Sequence, residues 1–296
     1  MQQLHWLNQT MYPFRSHFLK LDAGRMHYID EGQGPPLVFV HGTPVWSFLY
    51  RDMIKELSKE YRCIAMDHLG FGLSDKPANW GYRPADHAHN VRALIEHLGL
   101  EQLALVVHDF GGPIGLSYAI EQPENVTQLV VFNTWMWSLK GNAEAERVSN
   151  TMGGQLGRIL YQRFNFSARV LVKMVMADQR KLTKEVHQHY IKATTKPQDR
   201  QGMWRLACEL TGSSEWYDGL WQQRERIRDI PVLLLWGMQD LGVKGEIFDV
   251  KRWQNLFTNQ KTVLFPDAGH FVQEEEPQRS TQEIAAFLSS AKPVPV

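Results

Sequence analysis

Apolar residues occur along this chain in two kinds of stretch, and each predicts a kind of strand. Apolar and polar residues alternate at 17–21 and 25–30, which favours an antiparallel pair of strands at the start. Continuous apolar runs come later, and such runs are typical of strands buried on both faces of a parallel sheet. They lie at 36–40, 63–66, 103–107, 126–132, 232–236 and 262–265.

Helical spacing of apolar residues fills most of the gaps between these strands. It is found at 47–61, 84–98, 113–121, 248–256 and 277–288. Because strands and helices alternate along the chain, the sequence predicts an α/β fold with a mostly parallel, doubly wound sheet.

The stretch from residue 133 to about 217 has a different pattern. It contains no convincing buried strand, whereas helical spacing recurs through it. The helices are predicted at 156–164, 168–177, 183–193 and 199–210. We therefore predict a core formed by residues 1–133 and 218–296, with a helical insertion at 134–217.

The composition of the chain limits which binding partners and which cellular compartment are expected. Among 296 residues, Lys+Arg and Asp+Glu number 32 each, so the charge does not favour nucleic acid or an anionic membrane as partner. Cys63 and Cys208 are far apart and are expected to be buried free thiols, as in a reducing compartment. Residues 1–6 lack a basic region before an apolar run, and no segment has the length of a membrane span. We expect a cytoplasmic monomer or homodimer.

One polar residue marks the centre of the predicted sheet. The apolar run at 103–107 is followed by His108-Asp109-Phe110-Gly111-Gly112 and then by a predicted helix, which is the pattern of a nucleophile elbow. Asp109 occupies the place of the nucleophile. With a reference pKa of about 3.9 it is an anion at neutral pH, so it can attack a saturated carbon and form an alkyl ester. The alternative is an aspartate that caps the next helix.

Other strand ends carry residues that suit such a reaction, since functional groups gather at the carboxyl ends of parallel strands. Asp240 and His270 follow the last two strands, which gives a chain order of nucleophile, acid and histidine. His270 is predicted to activate the water that cleaves the ester, and Asp240 to orient His270. The backbone N–H groups of Thr43 and Phe110 are the predicted oxyanion donors.

These motifs resemble a known family. His41-Gly42-Thr43-Pro44-Val45-Trp46-Ser47, Gly70-Phe71-Gly72-Leu73-Ser74-Asp75-Lys76-Pro77, His108-Asp109-Phe110-Gly111-Gly112 and Ala268-Gly269-His270-Phe271-Val272 are similar to motifs of the haloalkane dehalogenases, which are α/β-hydrolases. The resemblance implies an α/β-hydrolase core with a helical cap. It also implies that a small apolar haloalkane and water are converted to alcohol and halide, without cofactor or metal. The family places its acid after either of two strands, and Asn133 stands at the earlier place, so Asp240 has that role.

Two positions depart from the dehalogenase pattern. The family usually has a tryptophan directly after the nucleophile, whose indole N–H binds the departing halide, whereas Phe110 has no such donor. A second halide contact often comes from an asparagine after His-Gly, where this chain has Thr43. Trp135 and Trp137, at the entrance to the insertion, are candidates to supply an indole instead. Thr43, Phe110, Trp135 and Trp137 are therefore the predicted leaving-group residues.

Three other functions fit parts of the pattern. Epoxide hydrolases share the nucleophile and acid but need cap tyrosines as proton donors, for which Tyr161, Tyr190 and Tyr217 are available. Their usual phenylalanine after His-Gly is absent here. A hydrolase that opens strained lactones would also use an aspartate nucleophile. A noncatalytic ligand-binding protein is the remaining hypothesis, and the intact Asp109, Asp240 and His270 argue against it.

Several polar residues are predicted to have no chemical role. The histidine pairs at 87/89 and 187/189 are spaced two apart, which on a helix points them to different faces and disfavours a metal site. The acidic run at 274–276 is predicted to be solvated at a helix start. Asp67 is predicted to be a turn former.

Overall fold

A computed structural model describes residues 5–290, apart from the side chain of residue 243. Within them one eight-stranded sheet has the order β1-β2-β4-β3-β5-β6-β7-β8. The strands are β1 (Ser16–Leu21), β2 (Gly24–Glu31), β3 (Pro36–Val40), β4 (Arg62–Met66), β5 (Leu103–Val107), β6 (Val126–Phe132), β7 (Val232–Gly237) and β8 (Gln260–Phe265).

Strand pairing follows the two kinds of pattern. β1 and β2 pair antiparallel, as do β2 and β4, and the other neighbours are parallel. The predicted mostly parallel sheet with an antiparallel start is thus confirmed. The chain runs from β3 outward to β4 and then returns to the other side of β3 with β5. Such a reversal opens a crevice between two strand ends, and here the strands are β3 and β5.

Helices cover the sheet and fill the connections. They are α1 (Arg51–Leu57), α2 (Pro84–His97), α3 (Gly111–Glu121), α4 (Ala143–Gly153), α5 (Gln155–Phe164), α6 (Val172–Met174), α7 (Lys184–Lys192), α8 (Gln201–Gly212), α9 (Ser214–Gln222), α10 (Leu241–Lys244), α11 (Val250–Leu256), α12 (Val272–Glu275) and α13 (Pro277–Ser290). Shorter 3₁₀ turns lie at Ser47–Tyr50, Pro123–Asn125, Gln179–Lys181, Pro197–Arg200 and Arg224–Ile227, and a π turn at Ser167–Leu171.

Two hydrophobic layers pack on opposite faces of the sheet, which is why β3 is apolar throughout. Val38 and Val40 contribute to a layer that includes residues of α2 and α3. Leu37 and Phe39 contribute to the other layer, which includes residues of α1 and α13. Alternate side chains of a strand point to opposite faces, so a central strand needs apolar residues at every position.

Six helices, α4 to α9, lie between β6 and β7, in the region of the predicted insertion. The sequence did not predict α4, because that helix is polar and buries only Ala145 and Ser149. It also missed α9, a short helix whose buried residues include Ser214, Tyr217 and Leu220. The division into core and cap remains a prediction. No helix within residues 5–290 has the length and apolar character needed to cross a membrane.

Both cysteines are free, as expected, although only Cys63 is buried and Cys208 is half-buried.

The acidic run after β8 is not solvated, so that prediction was wrong. Glu274 and Glu275 are 8% and 3% exposed, and only Glu276 is half-buried. The Arg51 guanidinium donates to both carboxylate oxygens of Glu274, at 2.5 and 2.8 Å, and Tyr190 of α7 donates its hydroxyl to the same carboxylate. A buried ion pair with further hydrogen bonds compensates the loss of hydration. Glu274 therefore ties the core to the insertion.

Replacing Glu274 by alanine is expected to lower the free energy of unfolding by about 3–5 kcal/mol, since Arg51 then keeps a buried charge whose remaining carboxylate, Asp52 at 3.4 Å, is much more exposed. Urea unfolding followed by circular dichroism measures the loss. The control is the Arg51→Met/Glu274→Leu double variant, which removes both charges and is expected to lose much less. A double variant as unstable as Glu274→Ala would contradict the ion-pair explanation.

Candidate active site

Asp109 sits at a sharp turn between β5 and α3. Its φ of +54° lies in the left-handed region, which is costly for a residue with a side chain and typical of a nucleophile elbow. The Asp109 N–H donates to the carbonyl of Asn133 at 3.0 Å, and the Thr134 hydroxyl donates to the carbonyl of Asp109 at 2.5 Å. A Cβ at Gly112 would collide with that hydroxyl. The neighbouring chain thus holds the turn in its strained form.

Three strand ends bring Asp109, Asp240 and His270 together. His270 Nδ1 lies 2.7 Å from Asp240 Oδ2, and His270 Nε2 lies 3.7 Å from Asp109 Oδ2. The three residues are 2–7% exposed. Because the Asp240 carboxylate accepts from Nδ1–H, the Nε2 lone pair of the neutral imidazole faces Asp109. The structure thus brings together the three residues that were singled out from the order of the strands, and their roles as nucleophile, base and orienting acid stay a prediction.

The electrostatics of the three groups are coupled. Burial raises the pKa of Asp109, while His270 and the backbone N–H groups of Phe110 and Thr43 limit the rise. Burial lowers the pKa of His270, but the charges of Asp240 and Asp109 outweigh it, so that pKa lies above its ordinary value. The charge of Asp109 therefore helps to hold the proton on His270.

Two backbone donors face the Asp109 carboxylate. The Thr43 N–H donates to Oδ1 at 2.8 Å, and the Phe110 N–H acts on the same carboxylate to lower its pKa. Thr43 belongs to the loop after β3, across the crevice from the elbow. A Cβ at Gly42 would overlap the carboxylate, so only glycine allows this loop to come so close. Donors in such positions suit a charge that develops on Oδ1.

Asn133 has a role that the sequence did not reveal. Its Nδ2 donates to Asp240 Oδ2 and to the carbonyl of Gly237, both at 2.9 Å, and its Oδ1 accepts from the Gly237 N–H at 2.8 Å. The Gly242 N–H donates to the other oxygen of Asp240 at 2.8 Å. Asn133 follows β6, and its amide binds and orients the Asp240 carboxylate that follows β7.

Two further residues hold the loop of His270, and neither was predicted. His108 Nε2 lies 2.9 Å from the carbonyl oxygen of His270, and the ring centres of the two histidines are 4.4 Å apart. Glu275 accepts from the N–H groups of Gly269 at 2.7 Å and of Ala177 at 3.1 Å. His108 could have been suspected from its place beside Asp109. Glu275 gave no signal, since its partners are backbone groups.

The predicted leaving-group residues do not all lie together. Phe110 packs edge-on against Trp135, with ring centres 4.8 Å apart. The Trp135 indole N–H and the Thr43 hydroxyl are buried and have no hydrogen-bond partner within residues 5–290. The ring contacts of Trp137 are instead with Trp221 and Trp253. Among the four predicted residues, Trp135 and Thr43 are therefore those with a buried donor that has no partner within residues 5–290.

The tyrosines suit an epoxide hydrolase poorly. Tyr190 donates its hydroxyl to Glu274, and Tyr217 donates its hydroxyl to the carbonyl of Glu209 at 3.0 Å. Burial raises the pKa of Tyr161, Tyr190 and Tyr217, which makes each a weaker acid. Two of the three hydroxyls are thus already engaged elsewhere.

Comparisons with known proteins show the family to which this chain belongs. Residues 35–277 match the model of the α/β-hydrolase fold family. The chain is 33% identical to haloalkane dehalogenase 2 of Mycobacterium tuberculosis over 270 residues, which cover 91% of this chain and 93% of that protein. This chain is an α/β hydrolase of the haloalkane-dehalogenase-like group. The predicted fold and enzyme class are thereby confirmed.

Other similarities of this α/β hydrolase broaden the picture. It is 31% identical to a cis-3-alkyl-4-alkyloxetan-2-one decarboxylase of Shewanella oneidensis over 296 aligned positions, covering 96% of this chain and 91% of that one. The fold matches the crystal structure of the haloalkane dehalogenase DatA from Agrobacterium tumefaciens with a TM-score of 0.85 at 23% identity, covering 96% and 99% of the two chains. Several reactions thus occur among relatives of this length.

The coupling of charges in this hydrolase is open to measurement. Asp240→Asn is expected to move the pKa of His270 from above to below its ordinary value of about 6.5. Burial lowers this pKa, and the variant removes the charge of Asp240, which raises it. Imidazole NMR shifts of His270 followed against pH give the value. Asp75→Asn, which removes a carboxylate at Arg25, serves as control. An unchanged pKa in Asp240→Asn would contradict the proposed coupling.

Proposed function

We propose that the enzyme hydrolyses small apolar haloalkanes through an ester on Asp109. One observation carries the proposal: the residue at the nucleophile elbow is a carboxylate, with Oδ1 bound to the Thr43 N–H and Oδ2 facing His270 Nε2 at 3.7 Å. A serine there would need His270 as a base for its own activation, whereas a carboxylate needs none. His270 is then free to serve a second step.

In the first step, Asp109 Oδ2 attacks the carbon that bears the halogen. A carbon–oxygen bond forms, the carbon–halogen bond breaks, and the halide leaves with the electron pair. The attack requires Asp109 in its ionised form, which the Thr43 and Phe110 N–H groups and the nearby His270 favour against burial.

In the second step, His270 takes a proton from water, and the resulting hydroxide attacks the carbonyl carbon of the Asp109 ester. The negative charge that develops on Oδ1 is stabilised by the N–H groups of Thr43 and Phe110. The alcohol then leaves with a proton returned by His270. Alkylation removes the charge of Asp109, which lowers the pKa of His270 just when a neutral base is required.

The leaving halide requires donors that Phe110 does not have. Trp135 and Thr43 have unpaired buried donors near this residue, and we propose that they bind the halide. Trp135 lies between β6 and α4, at the start of the insertion, which we propose acts as a cap at residues 134–217. In this proposal Trp135 and Thr43 provide two polar contacts for the anion.

A strained lactone is the second candidate, favoured by the 31% identity to the oxetanone decarboxylase and by Phe110. Attack of Asp109 at the saturated ring carbon would break the carbon–oxygen bond and leave a carboxylate on the same molecule. Loss of CO₂ would supply the electron pair for a carbon–carbon double bond and expel Asp109 as a free carboxylate. No separate halide has to be bound in that reaction, so an apolar residue after the nucleophile would suit it.

Product analysis separates the two candidates. Purified enzyme is offered 1-bromobutane and, separately, a cis-dialkyl oxetan-2-one, with Asp109→Ala as the blank. We expect bromide release above the blank, because the halide site has two donors. Alkene and CO₂ without bromide would replace the dehalogenase proposal by the lactone one, and neither product would contradict both.

His270→Ala is expected to trap the ester, because the first step does not need the histidine and the second does. Intact-mass spectrometry after exposure to 1-bromobutane should show the added butyl group on Asp109, with turnover reduced by at least about 100-fold. Asp109→Ala, treated identically, should gain no mass. Unchanged turnover in His270→Ala would show that another base is used.

Trp135→Phe removes one proposed halide donor while retaining an aromatic ring. Bromide release is expected to fall by about tenfold, the rate equivalent of one lost hydrogen bond to a charged group. Trp221→Phe, an equal change against Trp137, is the control and is expected to leave the rate unchanged. Equal rates in both variants would assign the halide to other donors.

A further inference from the structure

A hydrogen-bonded serine, histidine and aspartate lie near the β1 edge of the sheet, apart from the site of Asp109. Ser16 Oγ, on the edge strand β1, lies 2.9 Å from Nε2 of His27 on β2. His27 Nδ1 lies 2.8 Å from Oδ2 of Asp67, which follows β4. His27 and Asp67 have no exposed surface, whereas Ser16 is half-buried and reaches the surface. The predicted turn residue Asp67 is therefore a buried acid.

The hydrogen bonds around Asp67 determine which atoms donate and which accept between Ser16, His27 and Asp67. The N–H groups of Ser47 and Leu73 donate to its carboxylate at 2.9 and 2.8 Å. Burial opposes ionisation, but His27 and these donors prevail, so the pKa of Asp67 lies below its ordinary value. An ionised Asp67 accepts from Nδ1–H, which leaves the Nε2 lone pair of His27 directed at Ser16. The Ser16 hydroxyl thus donates to a base, as in a serine nucleophile at rest.

Ser16 opens onto a surface groove of about 830 Å³. Trp6, Phe14 and Leu73 contribute apolar walls. Arg15, Lys76 and Lys192 contribute positive charge, and among residues 5–290 no carboxylate side chain lines the groove. The groove therefore fits a molecule with an apolar chain and an electron-rich or anionic head, and its cations favour negative charge that develops there.

We propose that Ser16, His27 and Asp67 form a second nucleophilic site, which takes esters with an apolar acyl chain. Ser16 Oγ attacks the ester carbonyl and passes its proton to His27 Nε2, and the alcohol leaves with that proton. Water then cleaves the acyl group from Ser16 by the same base, giving the acid. Asp109, Asp240 and His270 are not part of this site, so the proposal does not depend on the reaction proposed for those residues.

Covalent labelling tests the site in full-length Asp109→Ala protein, which silences the first site. A long-chain alkyl fluorophosphonate is added, and adducts are located by peptide mass spectrometry. Ser16 is expected to displace fluoride and carry the label, and the exposed Ser289 to remain unlabelled. Addition of His27→Gln should slow labelling by about 100-fold, the usual contribution of a general base, at an unchanged melting temperature. No adduct on Ser16, or labelling that does not depend on His27, would overturn the proposal.

A second variant covers the case in which His27→Gln does not fold. Ser16→Cys places a thiol beside His27, which should favour the reactive thiolate. The introduced thiol is expected to react with iodoacetamide at pH 6 at least about tenfold faster than Cys208. Cys208 is also half-buried, and burial raises its pKa, so it is an internal reference in the same protein. Equal rates at the two thiols would overturn the proposal.

Discussion

The arrangement of the active site follows from one constraint, the presence of a carboxylate beneath the surface at the centre of the sheet. Burial alone would neutralise Asp109. The reversal of strand order between β3 and β5 offsets this in part, because it brings the loop with the Thr43 N–H to the carboxylate, while the elbow of Asp109 itself supplies the Phe110 N–H. His270 adds a positive partner from a third loop. The elbow is held by hydrogen bonds to Asn133 and Thr134, and the loop of His270 by hydrogen bonds to His108 and Glu275.

These restraints connect parts of the chain that are distant in sequence. Asn133 ties the end of β6 to Asp240, and Glu275 ties the loop of His270 to backbone groups of the insertion. Trp135 adds an available indole at the place where the insertion begins. In the proposed reaction the core thus supplies the nucleophile and base, while the contacts proposed for the leaving group depend on where the insertion places its first residues.

Sequence reasoning succeeded where the location of an element or residue depends on the order of the strands along the chain. Continuous apolar runs predicted all six later strands, and Asp109, Asp240 and His270 could be found because each follows one of them. It failed where a role depends on a distant partner. Glu274 was expected in solvent because its neighbours are acidic, yet its partner Arg51 is 223 residues away. Asn133 was noted only as a missing acid, and α4 was missed because it is stabilised by few buried residues.

The carboxylate of Glu274 also affects how this enzyme can be recombined with its relatives. Cap segments of α/β hydrolases look like exchangeable modules, since they enter and leave the core between two strands. Here Tyr190 belongs to the insertion, while Arg51 and Glu274 belong to two separate segments of the core. A chimaera that receives a foreign cap without an equivalent hydroxyl would inherit an ion pair with one hydrogen bond missing. The boundary of a transferable unit in this chain is therefore set by shared hydrogen bonds, and not by the ends of β6 and β7.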